Sequence, residues 1–318
     1  MCALEGWKPK SGVGGLPALT LLFGLFLLPL LAAATPLRVV VVGGESTYHR
    51  AVFAAMRQVL ERTPASYELT YRTLEQYQSA TEPSPAMLVT VGTAAARTLA
   101  AAPRSAPLLC TLLPRDDYLQ LPQAGAAEMS ALYIEQPVPR YLRLVRLALP
   151  QRTNIGAVLG PVSSSLSSEL QAVGDQLRLP VNTVTIGSDR ELAAALEQVG
   201  TSAGVLLALP DPVVVNADTA RSLILTAYHR GIALVGYSQA LAKAGALMAV
   251  HTTPEQFGQE AGEMVHAALT AAPARLPRAR FPSYFTVSVN YQVARALELN
   301  LPPEEQLLQQ LQQPEAMR

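Results

Sequence analysis

The stretch of this chain closest to a catalytic motif is Gly236-Tyr-Ser-Gln-Ala, which follows an apolar run and precedes a short helical pattern. A hydrolase nucleophile elbow, G-x-S-x-G, sits in that context, with the serine lifted on a tight turn and an acid and a histidine later in the chain. Ser238 would be the nucleophile. Ala240 stands where the elbow needs its second glycine, and no aspartate occurs after Ser238. His251 follows closely and His266 falls in an amphipathic helical pattern, neither with an acid in the expected loop context. A serine hydrolase using Ser238 is therefore the lesser reading.

Other chemistry has weaker footing. His49, His229, His251 and His266 show no H-x-x-x-H spacing, and Cys110 has no C-x-x-C partner, so no metal site is expected. Cys110 follows Ala-Pro-Leu-Leu and reads as a small core residue rather than a reactive thiol. Val91-Gly-Thr-Ala-Ala-Ala is not a phosphate loop, and Gly43-Gly-Glu-Ser lacks G-x-G-x-x-G, so no cofactor is implied. The chain of 318 residues carries 24 basic and 24 acidic side chains. That balance argues against a nucleic-acid partner, which calls for a basic excess.

Residues 1–34 read as a signal peptide. Lys8 and Lys10 precede an apolar run from Leu16 that ends in Ala32-Ala33-Ala34, small residues at the positions a signal peptidase requires. Cleavage after Ala34 would leave Thr35 first and deliver a periplasmic or secreted protein. The alternative is an uncleaved anchor, since the run is nearly long enough to span a bilayer. Without residues 1–34, which hold Lys8, Lys10 and Glu5, 22 basic and 23 acidic groups remain, with Lys243 the sole lysine and no tryptophan.

The elements that position these residues alternate. Leu37-Arg-Val-Val-Val-Val-Gly-Gly is a β-branched run of the kind buried on both sheet faces. Ala51 to Leu60 has helical spacing, strands follow at 67–71, 86–92 and 107–112, and Thr93 is placed to cap an alanine-rich helix. After an extended join near 129–136 the rhythm repeats. Strands at 154–160, 181–186, 204–209 and 232–236 are separated by helices, with Asp189 placed to cap one of them. This predicts an α/β protein of two similar Rossmann-like lobes with parallel sheets. The later elements, a strand from Ala246, a helix at 254–269 and a strand at 285–289, are surplus to the second run and could cross back to the first lobe.

In open α/β sheets ligands bind beyond the carboxyl ends of the strands. The loops there are rich in hydroxyls: Gly43-Gly-Glu-Ser-Thr-Tyr, Gly92-Thr, Gly160-Pro-Val-Ser-Ser-Ser, Pro210-Asp-Pro and Gly236-Tyr-Ser. Each hydroxyl taken alone is as well explained as a helix cap. Their grouping at one end of both sheets points to a site.

From about Ala86 onward the chain resembles the substrate-binding proteins of ABC transporters, in particular the family whose known members bind aromatic amino acids such as tryptophan. The resemblance lies in Val89-Thr-Val-Gly-Thr-Ala-Ala, in Leu209-Pro-Asp-Pro, and in Gly245-Ala-Leu-Met-Ala-Val running on to Phe257-Gly-Gln-Glu-Ala-Gly. It is most specific in Val289-Asn-Tyr-Gln-Val-Ala-Arg-Ala-Leu-Glu-Leu-Asn-Leu-Pro. The Leu112–Gly125 stretch and the Gly43-Gly-Glu-Ser loop depart from the family's pattern. The resemblance implies a periplasmic-binding-protein type I fold with a hinge, a small-molecule ligand such as an amino acid or small carboxylate, and no catalysis. Its partners would be an ABC permease and ATPase, or alternatively a membrane signalling protein. On this reading Ser46, Thr47, Tyr48 and Thr93 contact the ligand from the first lobe. Ser163, Ser164, Asp211, Tyr237 and Ser238 contact it from the second, with Asp211 either pairing with a ligand amine or serving as the turn residue of its Asp-Pro step. Lobe 1 is expected at 35–134 plus about 248–280, and lobe 2 at 135–247 plus about 281–318.

Overall fold

The computed structural model describes residues 35–313 except 82, 123–126 and 274. The leader, its cleavage point at Ala34 and part of the Leu112–Gly125 stretch lie outside the described residues. No helix among the described residues is long and apolar enough to cross a membrane.

The first run contains β1 (Leu37–Gly43), α1 (Thr47–Glu61), β2 (Tyr67–Arg72), α2 (Leu74–Ser79), β3 (Met87–Val91), α3 (Thr93–Ala101), β4 (Leu108–Leu113), α4 (Arg115–Leu119) and β5 (Met129–Tyr133). The five strands form one parallel sheet in the order β2-β1-β3-β4-β5. The valine run of β1 shows why it is central. Val39 and Val41 pack into a core on one face, while Val40 and Val42 pack into another on the opposite face. Thr93 does not cap α3 as expected. Gly92 takes the N-cap at φ 100°, a backbone region that favours glycine, so Thr93 becomes the first helical residue.

The second run contains α5 (Val138–Ala148), β6 (Ile155–Leu159), α6 (Ser167–Leu177), β7 (Val181–Thr185), α7 (Leu192–Gly200), β8 (Val205–Leu207), α8 (Ala220–His229), β9 (Ala233–Gly236), α9 (Gln239–Ala244) and β10 (Met248–His251). Asp189 also makes no cap, because a 3₁₀ turn at Asp189–Glu191 leads into α7 and Glu191 takes the N-cap position. The chain then adds α10 (Pro254–Thr270), β11 (Thr286–Val289), α11 (Tyr291–Ala296) and α12 (Glu304–Gln312). The second sheet runs β11-β10-β9-β8-β6-β7, parallel except for β11.

One boundary moves relative to the sequence reading. Residues from about 248 were expected in the first lobe, but β10 pairs with β9 through Met248↔Val235 and so lies in the second sheet. The crossing follows it, at Thr252 and Thr253. α10 then packs on α1 in the first lobe, and the fit depends on glycine. A Cβ at Gly258 would overlap Val52 O and come within 2.6 Å of Ala55 Cβ, and one at Gly262 would lie 3.0 Å from Val59 Cβ. Glu260 on the same helix is fully buried. Its Oε2 accepts from Ser283 N at 2.8 Å and its Oε1 pairs with Arg280 at 2.9 Å. The Arg280 backbone in turn extends the first sheet, with Arg280 N donating to Ala131 O and Tyr133 N to Arg280 O.

Among the described residues, three segments therefore pass between the lobes, at Ile134–Pro137, Thr252–Thr253 and Pro282–Phe285. Thr252 ties them together. Its hydroxyl accepts from Gln136 Nε2 at 2.8 Å and donates to Tyr284 O at 2.7 Å. Arg140 adds a second tie from α5, donating to Pro282 O at 2.9 Å and lying 3.8 Å over the Phe285 ring. Buried hydroxyls and amides paired this way avoid the cost of desolvation without a partner.

Candidate functional site

The carboxyl ends of the strands differ between the two sheets. In the first lobe the strand order reverses between β1 and β3, and a cavity of about 940 Å³ opens there, lined by Gly43, Gly44, His49, Gly92 and Thr93 among others. His49 Nδ1 accepts from Gly44 N at 2.9 Å, which leaves the ring proton on Nε2, and burial holds the imidazole below its usual pKa. Ser46 is occupied as the α1 cap, its Oγ accepting from His49 N at 3.2 Å, and Thr47 is the exposed first residue of that helix.

In the second lobe the corresponding reversal, between β8 and β6, is filled by the chain's own groups. Asp211 is 2% exposed. Its Oδ2 accepts from Val162 N (3.0 Å), Ser163 N (2.9 Å) and Ser163 Oγ (2.9 Å), and its Oδ1 accepts from Val213 N (2.9 Å). Ser163 Oγ also accepts from Gly160 N at 3.0 Å, and Ser164 Oγ donates to Pro161 O. Asp211, Ser163 and Ser164, read from the sequence as ligand contacts, are engaged here in bonds between and within their own loops. Four hydrogen bonds from the two loops it joins engage the buried carboxylate, three of them on Oδ2.

A second cavity, of about 630 Å³, lies between the lobes. Tyr48 lines it from the start of α1, Ile134 from the first crossing, Tyr237 and Ser238 from the end of β9, and His251 to Glu255 with Phe257 from the second crossing. Tyr48 Oη donates to Thr252 O at 3.4 Å, and burial with the nearby Glu255 charge pushes its pKa up to about 12. Burial pulls His251 down to about 4, so it is neutral at pH 7, and its Nε2 bonds Ser288 Oγ at 3.0 Å. Ser238 Oγ accepts from Leu241 N at 3.2 Å as the cap of α9. No hydrogen bond joins Ser238 to a histidine among the described residues.

Of the nine expected contacts, Tyr48, Tyr237 and Ser238 meet on the inter-lobe cavity, Thr93 lines the first-lobe cavity, and the remaining five hold local structure or stand at its surface. Sequence reasoning missed Ile134, Thr253, Glu255 and Phe257, which only the crossings bring to the site. It also missed His49, whose signal was available in its place just beyond the Gly43-Gly-Glu-Ser-Thr-Tyr loop.

The sequence model of the family described as ABC transporter substrate binding protein matches residues 72–313. Among solved structures, an ABC domain in complex with L-Trp from Streptococcus pneumonia aligns with TM-score 0.61 at 17% identity, covering 86% of this chain and 98% of that one. The ligand-free, open structure of a substrate binding protein with adhesive properties from Clostridium difficile aligns with TM-score 0.65 at 16% identity, covering 84% and 97%. A conserved domain protein from Vibrio cholerae aligns with TM-score 0.60 at 21% identity, covering 86% and 97%. At these identities the likeness shows the fold, a two-lobed periplasmic-binding-protein architecture. No curated protein matches the chain.

Proposed function

The chain belongs to the ABC transporter substrate-binding protein family, and from that premise we propose that it is exported and binds a small polar ligand between its lobes for an ABC-type uptake system. The observation that carries this is the inter-lobe cavity itself. Tyr48 enters it from one lobe and Tyr237 and Ser238 from the other, over a floor made by a crossing segment. A ligand that touches both walls is held fully only when the lobes approach, so it shifts the open–closed equilibrium by its differential affinity. No bond is made or broken. A permease and an ATPase receive the closed form. The leader at 1–34 directs export and is removed near Ala34. We assign residues 35–134 and 253–281 to the first lobe and the remainder of the mature chain to the second.

The test is a thermal-shift screen of amino acids, amines and small carboxylates, followed by calorimetry and X-ray scattering with the hit. Tyr48→Ala and Tyr237→Ala are each expected to weaken binding about tenfold, the loss of one well-packed aromatic contact. The scattering radius is expected to fall when ligand is added. A hit that binds both variants like wild type, with no contraction, would overturn the inter-lobe site.

A further inference from the structure

We propose that the inter-lobe cavity selects its ligand by positive charge, taking an organic amine with an apolar or aromatic body in preference to a free carboxylate. This rests on the reading of that cavity as the ligand site.

The walls supply the apolar part. Tyr48, Tyr237 and Phe257 present rings, and Pro210 and Pro254 add apolar surface. The charge comes from one residue. Among the described residues, Glu255 is the single acidic side chain lining the cavity, and neither lysine nor arginine lines it. It is exposed in the first turn of α10, and no salt bridge or hydrogen bond engages its carboxylate among the described residues. Its field reaches Tyr48, whose phenol it helps keep protonated.

Three groups that could have received an anion are already engaged. His251 is neutral and bonded to Ser288 Oγ. At the start of α9, Leu241 N donates to Ser238 Oγ. At the start of α10, Gln256 N donates to Thr253 Oγ1, while Thr253 N donates to Gln256 Oε1. Each of the two helix N-termini that border the cavity satisfies one first-turn amide with its own cap hydroxyl. A carboxylate entering here would lose hydration and meet Glu255 with no cation to offset it. An ammonium would meet that carboxylate and the faces of the tyrosine rings, both attractive to a cation.

The test uses three probes with one ring and one chain length: phenethylamine, phenylalanine and 3-phenylpropionate, titrated by calorimetry at pH 7.5 and low salt. Phenethylamine is expected to bind at least ten times more tightly than 3-phenylpropionate, with the preference shrinking as salt is raised. In Glu255→Gln the ratio is expected to fall to within about threefold, while Tyr237→Ala weakens all binding probes together. Equal or tighter binding of 3-phenylpropionate, an unchanged ratio in Glu255→Gln, or no binding of any probe at millimolar concentration would overturn the proposal. X-ray scattering on the same samples separates the two readings. Contraction with a carboxylate-preferring site leaves hinge closure standing and removes charge selection. Amine preference without contraction does the reverse.

Discussion

Asp211 Oδ2 holds Ser163 twice, accepting from its backbone N–H and from its hydroxyl, each at 2.9 Å. The pair joins the loop after β8 to the loop after β6 at the point where a ligand carboxylate or amine would enter an open α/β sheet. Gly160 completes the joint, since a Cβ there would overlap Asp211 Oδ1. The second lobe has thus filled its switch-point crevice with its own carboxylate, and its hydroxyl groups on the inter-lobe cavity come from the next strand over, through Tyr237 and Ser238.

Asp211→Ala should therefore destabilise the protein. The change leaves three backbone N–H groups and a hydroxyl in and around a buried loop without their acceptor, at a cost of about 3 kcal/mol or more. Urea denaturation should show a lower midpoint, with Asp211→Asn between the two. A variant as stable as wild type that loses only ligand affinity would return Asp211 to the ligand.

Thr252→Val keeps shape and removes the hydroxyl that bonds Gln136 and Tyr284. A loss of about 1–3 kcal/mol is expected, because a buried amide and a carbonyl each lose a partner. Hydrogen exchange should quicken in the three crossing segments before it quickens in β1 or β6. Unchanged exchange there would show that the crossings are held by other contacts.

Glu135 makes stability depend on pH. Its Oε1 accepts from Arg115 N at 2.8 Å, but its Oε2 is enclosed without a hydrogen-bond partner. Burial, with Asp116 and Asp117 adding, raises its pKa from 4.5 to about 7. A carboxyl raised in the native state binds its proton more tightly there than in the unfolded chain. Its contribution is therefore full below about 4.5 and is lost as pH rises through 7, by up to roughly 3 kcal/mol. Glu135→Gln should gain stability relative to wild type between pH 5 and pH 8. A constant difference across that range would contradict the enclosed carboxyl.

Cys110 should be silent in the native protein. It is buried in the first-lobe core, and burial lifts its thiol to about 11. In protein beginning at Thr35 it is the sole cysteine, so a disulfide reagent should react only as fast as the first lobe opens. Immediate stoichiometric reaction without denaturant would show that the core is penetrable there.

Local pattern was enough to read the strands and most of the helices, though not the short helices α2 and α4. The valines of β1 alternate between two cores because a strand's side chains alternate, and no long-range information is needed to read that. The same logic placed Tyr48, Tyr237 and Ser238 just beyond strands, and the structure sets them on one cavity. Tertiary structure alone decided which polar groups remained for a ligand. Asp211 and Ser163 meet across 48 residues of chain, and Gln136 and Thr252 across 116. Such pairings satisfy buried polar groups, and nothing in the local sequence distinguishes an aspartate that will meet a distant loop from one that will meet a ligand. Glu255 was not read as a ligand contact for the same reason. In sequence it is an ordinary first-turn acid of a capped helix, and it becomes the cavity's single charge only because the chain crosses between lobes at the residues before it.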